Sequence, residues 1–264
     1  MNANLVNLMS RLMHGMLLTA MVACASTLDE RAAFAQWGDI QGQFVFDGDP
    51  PQLADLVKKG NSAVKDASVC AAESIPDDSL VVNSSNKGIA NVFVFLRKAD
   101  KVHPDLKRPA ASEVILDQKH CRFVPHALVV RTDQSLICKS DDNCPHNTHS
   151  FPSRNNSENF VLAPNDRTGI PIKFKLPEAA PISVKCDIHS WMNARLLVVD
   201  HPYAAVTDAD GKFKIEKLPV GTHKFRVWHE RPEVIEKEWT IEVIAGLNVV
   251  PTVKLTAEKL APKK

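Results

Sequence analysis

The chain predicts an all-β protein of two β-sandwiches. Three observations lead there. Apolar runs are short and many are β-branched or aromatic, as in Val92 to Leu96, Arg195 to Val199 and His223 to Trp228. They are separated by clusters of Gly, Pro, Asn and Asp rather than by long amphipathic stretches. Only one segment, Gln52 to Lys59, has a helical pattern, and residues 60–88 read as loop-rich. The remaining strand candidates are Gln43 to Phe46, Glu113 to Leu116, Ala127 to Val130, Ile170 to Leu176 and Ser183 to Cys186, followed by Lys212 to Ile215, Trp239 to Val243 and Val249 to Leu255.

Size and charge narrow the function. The 264 residues carry 32 Lys+Arg against 31 Asp+Glu, a net charge of +1 that argues against a broadly basic nucleic-acid binder. Residues 1–35 read as an export signal: Arg11, then the apolar run Gly15 to Ala23, then small residues. Two cleavage points fit, after Ala25 and after Ala35. A lipid-anchored Cys24 is the lesser option. The apolar run is too short for a membrane span, so the expected location is periplasmic or secreted.

Export changes how cysteine is read. Without Cys24, five remain: Cys70, Cys121, Cys138, Cys144 and Cys186. In an oxidising compartment that odd number suggests two bridges and one thiol kept for another use, although an unpaired buried cysteine is also ordinary.

In the C-terminal part, Thr207-Asp208-Ala209-Asp210-Gly211-Lys212-Phe213 is a hairpin signature, and Leu218-Pro219-Val220-Gly221 makes a second turn. The Asp208–Gly211 stretch lacks the terminal Glu of a calcium loop. This order resembles the transthyretin-like, carboxypeptidase-regulatory-like sandwich. The resemblance implies a first strand at Gly38 to Val45 and a next one at Ala90 to Leu96. Roughly a hundred residues then intervene before the hairpin, about the size of another small domain. The expected organisation is therefore a first sandwich part over 36–110, an inserted domain over 111–200, the second sandwich part over 201–258 and a polar tail over 259–264. Two sequential domains are the alternative.

The chemistry lies in two stretches. Cys186-Asp187-Ile188-His189-Ser190-Trp191-Met192 sits between two strand candidates, and Cys144-Pro145-His146-Asn147-Thr148-His149-Ser150-Phe151 lies forty residues upstream. One thiolate, two imidazoles and a thioether are the donors of a blue-copper centre, in which a His₂Cys plane has a weak axial Met. A strand end would present Cys186, a tight loop would bring His189 and Met192 to the same point, and His146 would come from a neighbouring strand end. His149, three residues from His146 on an extended segment, should face away.

These segments resemble the cupredoxins of the amicyanin and plastocyanin kind, over residues 112–200 or so. The resemblance implies a Greek-key sandwich and one type 1 copper ion. His146, Cys186 and His189 would be equatorial ligands, Met192 the axial one, and Asn147 the residue that ties the ligand loops together. It also makes His189 the ligand at the solvent edge, with Pro145, Ile188 and Trp191 as an apolar docking patch for a transient redox partner. Ser150, Ser190 and Trp191 depart from the family pattern. If Cys186 is the metal thiolate, Cys138–Cys144 could brace the His146 loop and Cys70–Cys121 could tie the 60–88 region to the inserted domain. Four cysteines permit three pairings.

The leading expectation is single-electron transfer by a protein that is not an enzyme. The alternative is a non-catalytic module binding carbohydrate or protein, with a vestigial or structural metal site and with Trp228, Trp239 and Tyr203 as its aromatic candidates. The His120, Cys121 and His126 group and the His223 and His229 pair read as packed or solvated histidines, and Asp77-Asp78 and Asp141-Asp142 as solvated loop carboxylates.

Overall fold

The computed structural model describes residues 36–263; the expected export signal and Cys24 lie outside them. Two strands come first, β1 (Trp37–Phe46) and β2 (Phe93–Leu96), with a short helix α1 (Ala67–Cys70) between them. Next come β3 (Glu113–Lys119), β4 (Arg122–Val124), β5 (Ala127–Arg131), β6 (Ser135–Ser140), β7 (His146–Phe151), β8 (Asn159–Leu162), β9 (Ile170–Ile172), β10 (Ile182–Lys185) and β11 (Asn193–Val199). The chain closes with β12 (Ala204–Val206), β13 (Lys212–Pro219), β14 (Gly221–His229), β15 (Glu233–Val243), β16 (Gly246–Val249) and β17 (Val253–Leu255). The fold is all-β.

Pairing sorts these strands into four sheets. β1 lies between β13 and β16 and also pairs with β17, while β2 lies between β12 and β14, with β15 beyond. Strands from both ends of the chain thus share two sheets over a core of Ile40, Phe44, Val94, Phe213, Phe225 and Val243. Everything from β3 to β11 pairs within two other sheets, ordered β5-β11-β10-β7-β8 and β4-β3-β6-β9. Their core holds Leu116, Phe123, Val130, Leu136, Leu162 and Val184.

The uninterrupted apolar run of β2 has a physical reason. Val92, Val94 and Leu96 enter the first core, whereas Phe93 and Phe95 point the other way and meet Leu197, Val199, Ala127 and Trp228. β11 mirrors this, sending Leu196 and Val198 into the second core and Leu197 and Val199 to the seam. Alternation puts successive side chains on opposite faces, so a strand sandwiched between two layers must be apolar throughout. A polar link completes the seam: Glu230 meets His126 Nε2 at 3.0 Å and accepts from Arg195 Nε at 2.9 Å.

The Asp208 hairpin is a tight turn. Asp208 Oδ1 accepts from the N–H groups of Asp210 and Lys212, and Gly211 has φ +75° with the Phe44 carbonyl where a side chain would start.

The expected helix over Gln52 to Lys59 is absent. The N–H of Leu56 donates to the Ile75 carbonyl and the N–H of Ile75 to that of Val57, so these backbone groups are committed to a cross-chain bridge. Residues 60–88 are loop-rich, as expected, but they are not peripheral. Val57, Cys70, Ala71 and Ile75 are buried in the second core, which lays this segment over one end of the β3–β11 sandwich.

Candidate metal centre

Three elements converge at that end. β7 begins at His146, β10 ends just before Cys186, and the loop from Cys186 to Met192 returns the chain into β11. The loop is closed by its own backbone: the N–H of Cys186 donates to the Met192 carbonyl at 3.2 Å, and that of Met192 to the His189 carbonyl at 2.9 Å. Asn147 binds it to β7. Its Oδ1 accepts from the N–H groups of Asp187 (2.6 Å) and Ile188 (3.3 Å), and its Nδ2 donates to Asp187 and Asn159.

The result is a compact donor set. One donor atom each from His146, Cys186 and His189 lies within 4.8 Å of the others, and all three residues are buried. The two Nδ1 atoms are 2.9 Å apart, and Cys186 Sγ is 3.8 Å from His189 Nδ1. Met192, at the end of the same loop, is 1% exposed and shares the core cluster of Cys186. His149 is outside the set, half-buried against Asp187.

Both imidazoles are held from behind. His146 Nε2 faces Asp142 Oδ2 at 2.9 Å, and His189 Nε2 faces Asp66 Oδ2 at 3.0 Å. With His146 donating from both nitrogens and His189 accepting at Nδ1, all four ring nitrogens are satisfied. Asp142 also accepts from the N–H groups of His120 (2.7 Å) and Cys121 (2.8 Å), which fixes it in place. This overturns the reading of Asp142 as a solvated carboxylate: the turn after β6 folds it inward to 6% exposure. Asp78 is likewise engaged, in an ion pair with Arg122.

Among the described residues three thiols are free, and they differ in acidity. Burial pushes Cys138 up to about 12, and burial with the nearby Asp142 charge does the same to Cys144. Burial opposes ionisation of Cys186 too, but hydrogen bonds from His146, His189 and the backbone bring it down to about 6. His146 is the counterpart. Burial disfavours its charge, yet Asp142 and Cys186 raise it to about 9. Only Cys186 among them is set up as a thiolate, the form that binds metal.

The cysteine pairing is half as expected. Cys70 and Cys121 form a disulfide, whereas Cys138 and Cys144 are both free. β6 runs on to Ser140, so Cys138 is held in mid-ladder opposite Leu116 and Ile170 with its thiol in the core. Cys144 lies beyond the turn, its Sγ 4.0 Å from Cys121 Sγ and 3.6 Å from His146 Nε2.

The solvent-edge role expected of His189 also fails. The residue is fully buried, because the segment bearing Asp66 is pinned over it by the Cys70–Cys121 bridge. Of the expected patch, Pro145 is exposed, while Ile188 and Trp191 are half-buried against the core. The Trp191 indole donates to the Cys121 carbonyl at 3.2 Å, and its ring centroid is 5.2 Å from that of His189.

Several other histidines have structural surroundings of their own. His126 belongs to the seam, His223 meets the Pro219 carbonyl and His229 is buried. Trp228 and Tyr203 are buried, and Trp239 packs on Phe44 and Phe213, so these aromatics offer no exposed platform.

No known family model matches the chain, and no curated protein does. Partial likenesses occur among solved structures. A purple cupredoxin from Nitrosopumilus maritimus is 17% identical over 33% of this chain and 99% of its own, with a TM-score of 0.27. Amicyanin from Paracoccus versutus is 14% identical over 41% and 98%, with a TM-score of 0.29. A copper-containing nitrite reductase from Thermus scotoductus is 18% identical over 38% of this chain and 27% of its own, with a TM-score of 0.29.

Proposed function

We propose that the chain is an exported single-electron carrier built on one type 1 copper ion, with His146, Cys186 and His189 as ligands and Met192 as the weak axial donor. The observation that carries this reading is the convergence of two imidazole Nδ1 atoms and one acidified thiol in a buried pocket. Copper would supply a one-electron couple whose ligands need not change between oxidation states. The protein's part is to keep those ligands still. Asn147 fixes the ligand loop to β7, Asp142 and Asp66 orient the two rings, and the apolar core excludes water. A mixed set of thiolate, imidazole and thioether suits copper better than hard cations, which take oxygen ligands.

In this reading the protein is a carrier and not an enzyme, and its partners are redox proteins that dock transiently. Pro145, Ile188 and Trp191 adjoin the ligands in sequence and form the docking patch. Among the described residues no helix is long and apolar enough to cross a membrane.

The test is a visible absorption and electron paramagnetic resonance spectrum of the protein loaded with copper(II), beside Cys186→Ser. The expected result is an intense thiolate-to-copper band with narrow copper hyperfine splitting, lost in the variant. A colourless protein, or a copper signal indifferent to Cys186, would refute the proposal.

A further inference from the structure

A second feature lies on the other sandwich, on the face of the β12-β2-β14-β15 sheet that turns toward the seam. Beyond the apolar pair Phe93 and Phe95, the next residue of β2's chain on that face is Arg97. On β14, Arg226 stands opposite Phe95 and Lys224 precedes it by one alternation. The apolar seam therefore gives way to a row of cations. They line a cleft of about 660 Å³, with Lys98, Lys101, His223 and Lys237 on its other walls and Asp100 and Glu238 as its only carboxylates. A chain of net charge +1 has thus concentrated six Lys and Arg against two acids in one concavity.

The acids do not neutralise it. Asp100 takes Lys98 at 3.3 Å and Glu238 takes Lys224 at 2.8 Å, while Lys101 donates to Gln36 and stands over the Trp37 ring. Arg97, Arg226 and Lys237 have no carboxylate partner among the described residues. Arg226 is the telling one. Its Nη1 donates to the Ala179 carbonyl at 3.1 Å, yet its Nε is buried with no hydrogen-bond partner among the described residues. Burial and the Arg97 charge both weigh against its cationic form. A partly buried guanidinium beside a second one, with one N–H unpaired, is a group whose charge an anion would balance.

We infer that this cleft is a binding site for a phosphate-type oxyanion, gripped by the Arg226 guanidinium and flanked by Arg97 and Lys237. A guanidinium fork matches two oxygens of such a group, and the lysine supplies a point charge. The oxyanion could be carried by a soluble phosphate or by a phospholipid headgroup.

The test is a titration of the full chain with inorganic phosphate, following the Arg Nε–Hε cross-peaks by ¹⁵N–¹H NMR. The expected result is a saturable shift of the Arg226 signal that sodium chloride at equal ionic strength does not reproduce. Arg226→Gln should weaken binding by about tenfold or more, the scale of a hydrogen bond to a charged group. If that variant fails to fold, the exposed pair Arg97→Gln with Lys237→Gln decides, with a smaller but clear loss expected. A linear shift, one that chloride matches, or unchanged affinity in the exposed double variant would overturn the inference. Sedimentation with phosphatidylcholine vesicles, with and without phosphatidic acid, separates the two sources. Co-sedimentation that needs phosphatidic acid and that inorganic phosphate displaces assigns a lipid headgroup; phosphate binding without co-sedimentation assigns a soluble ligand.

Discussion

Asp66 and His189, 123 positions apart, meet at 3.0 Å between Oδ2 and Nε2, and this contact closes the candidate metal centre from above. A carboxylate behind a ligating imidazole fixes ring orientation and raises its basicity. Asp66→Ala should lower copper affinity by about 10- to 100-fold, read by competition with a chelator. Carbethoxylation of His189 in the metal-free protein should also speed up, since its cover is gone. Unchanged affinity and labelling would mean that Asp66 is only a neighbour.

The disulfide acts one step further out. Cys70 ends the short helix that follows Asp66, so losing the Cys70–Cys121 bridge frees the covering segment. Cys70→Ser with Cys121→Ser should cost about 2–5 kcal/mol in denaturant unfolding. It should also reproduce the faster His189 labelling of Asp66→Ala. A stable double variant with His189 still shielded would show that packing alone holds the cover.

Proton linkage follows from the paired shifts of Cys186 and His146. With Cys186 at about 6 and His146 at about 9, the metal-free pair holds about one proton between those values, on His146. That proton occupies the space between the two Nδ1 atoms, and a metal must displace it. Copper uptake at pH 7.5 should therefore release about one proton from this pair, measured in buffers of different ionisation enthalpy. Affinity should rise about tenfold per pH unit up to about 9 and then level off. Below about 6 Cys186 also takes a proton, and the dependence steepens.

The seam between the sandwiches depends on Glu230. Its carboxylate is buried, and it serves both His126 and Arg195, which in turn reaches Ser183. Burial would raise the Glu230 pKa, but His126 and Arg195 hold it below the usual range. Glu230→Ala leaves Arg195 without its counter-ion in a partly desolvated place. The expected loss is about 3 kcal/mol, seen as a lower urea midpoint. An unchanged midpoint would place the stability of the seam in Phe93, Phe95 and Trp228 alone.

Which parts of this molecule could be read from residues alone depends on distance along the chain. The strands were readable because their signals are local: alternation in Lys212 to Ile215, the Asp-Gly turn at Asp210, the apolar run at Val92 to Leu96. The approach of His146 to Cys186 and His189 was readable because each sits at a strand end and β7 pairs directly with β10. Asp66 and Asp142 were not. Each lies in a polar stretch like any solvated loop, and only the path of residues 60–88 and the turn after β6 turn them inward. Cys138 and Cys144 misled for the same reason. Their short separation suggested a brace, while the length of β6, invisible in the pattern of Ser135 to Ser140, keeps them apart. The Gln52 to Lys59 pattern was outweighed by its pairing with Ile75.

The placement of β1 has a consequence for the order of assembly. All its strand partners lie between Lys212 and Leu255, so apart from one early bridge between Val45 and Gly88 this strand waits for nearly the whole described chain before it is laddered. The β3–β11 sandwich needs no such wait, since its pairings all close within its own span. Long loop closures slow folding, and unpaired strands invite association with other chains. The stretch that gathers the metal ligands can therefore mature first, and the sandwich that encloses it in sequence is the last to close.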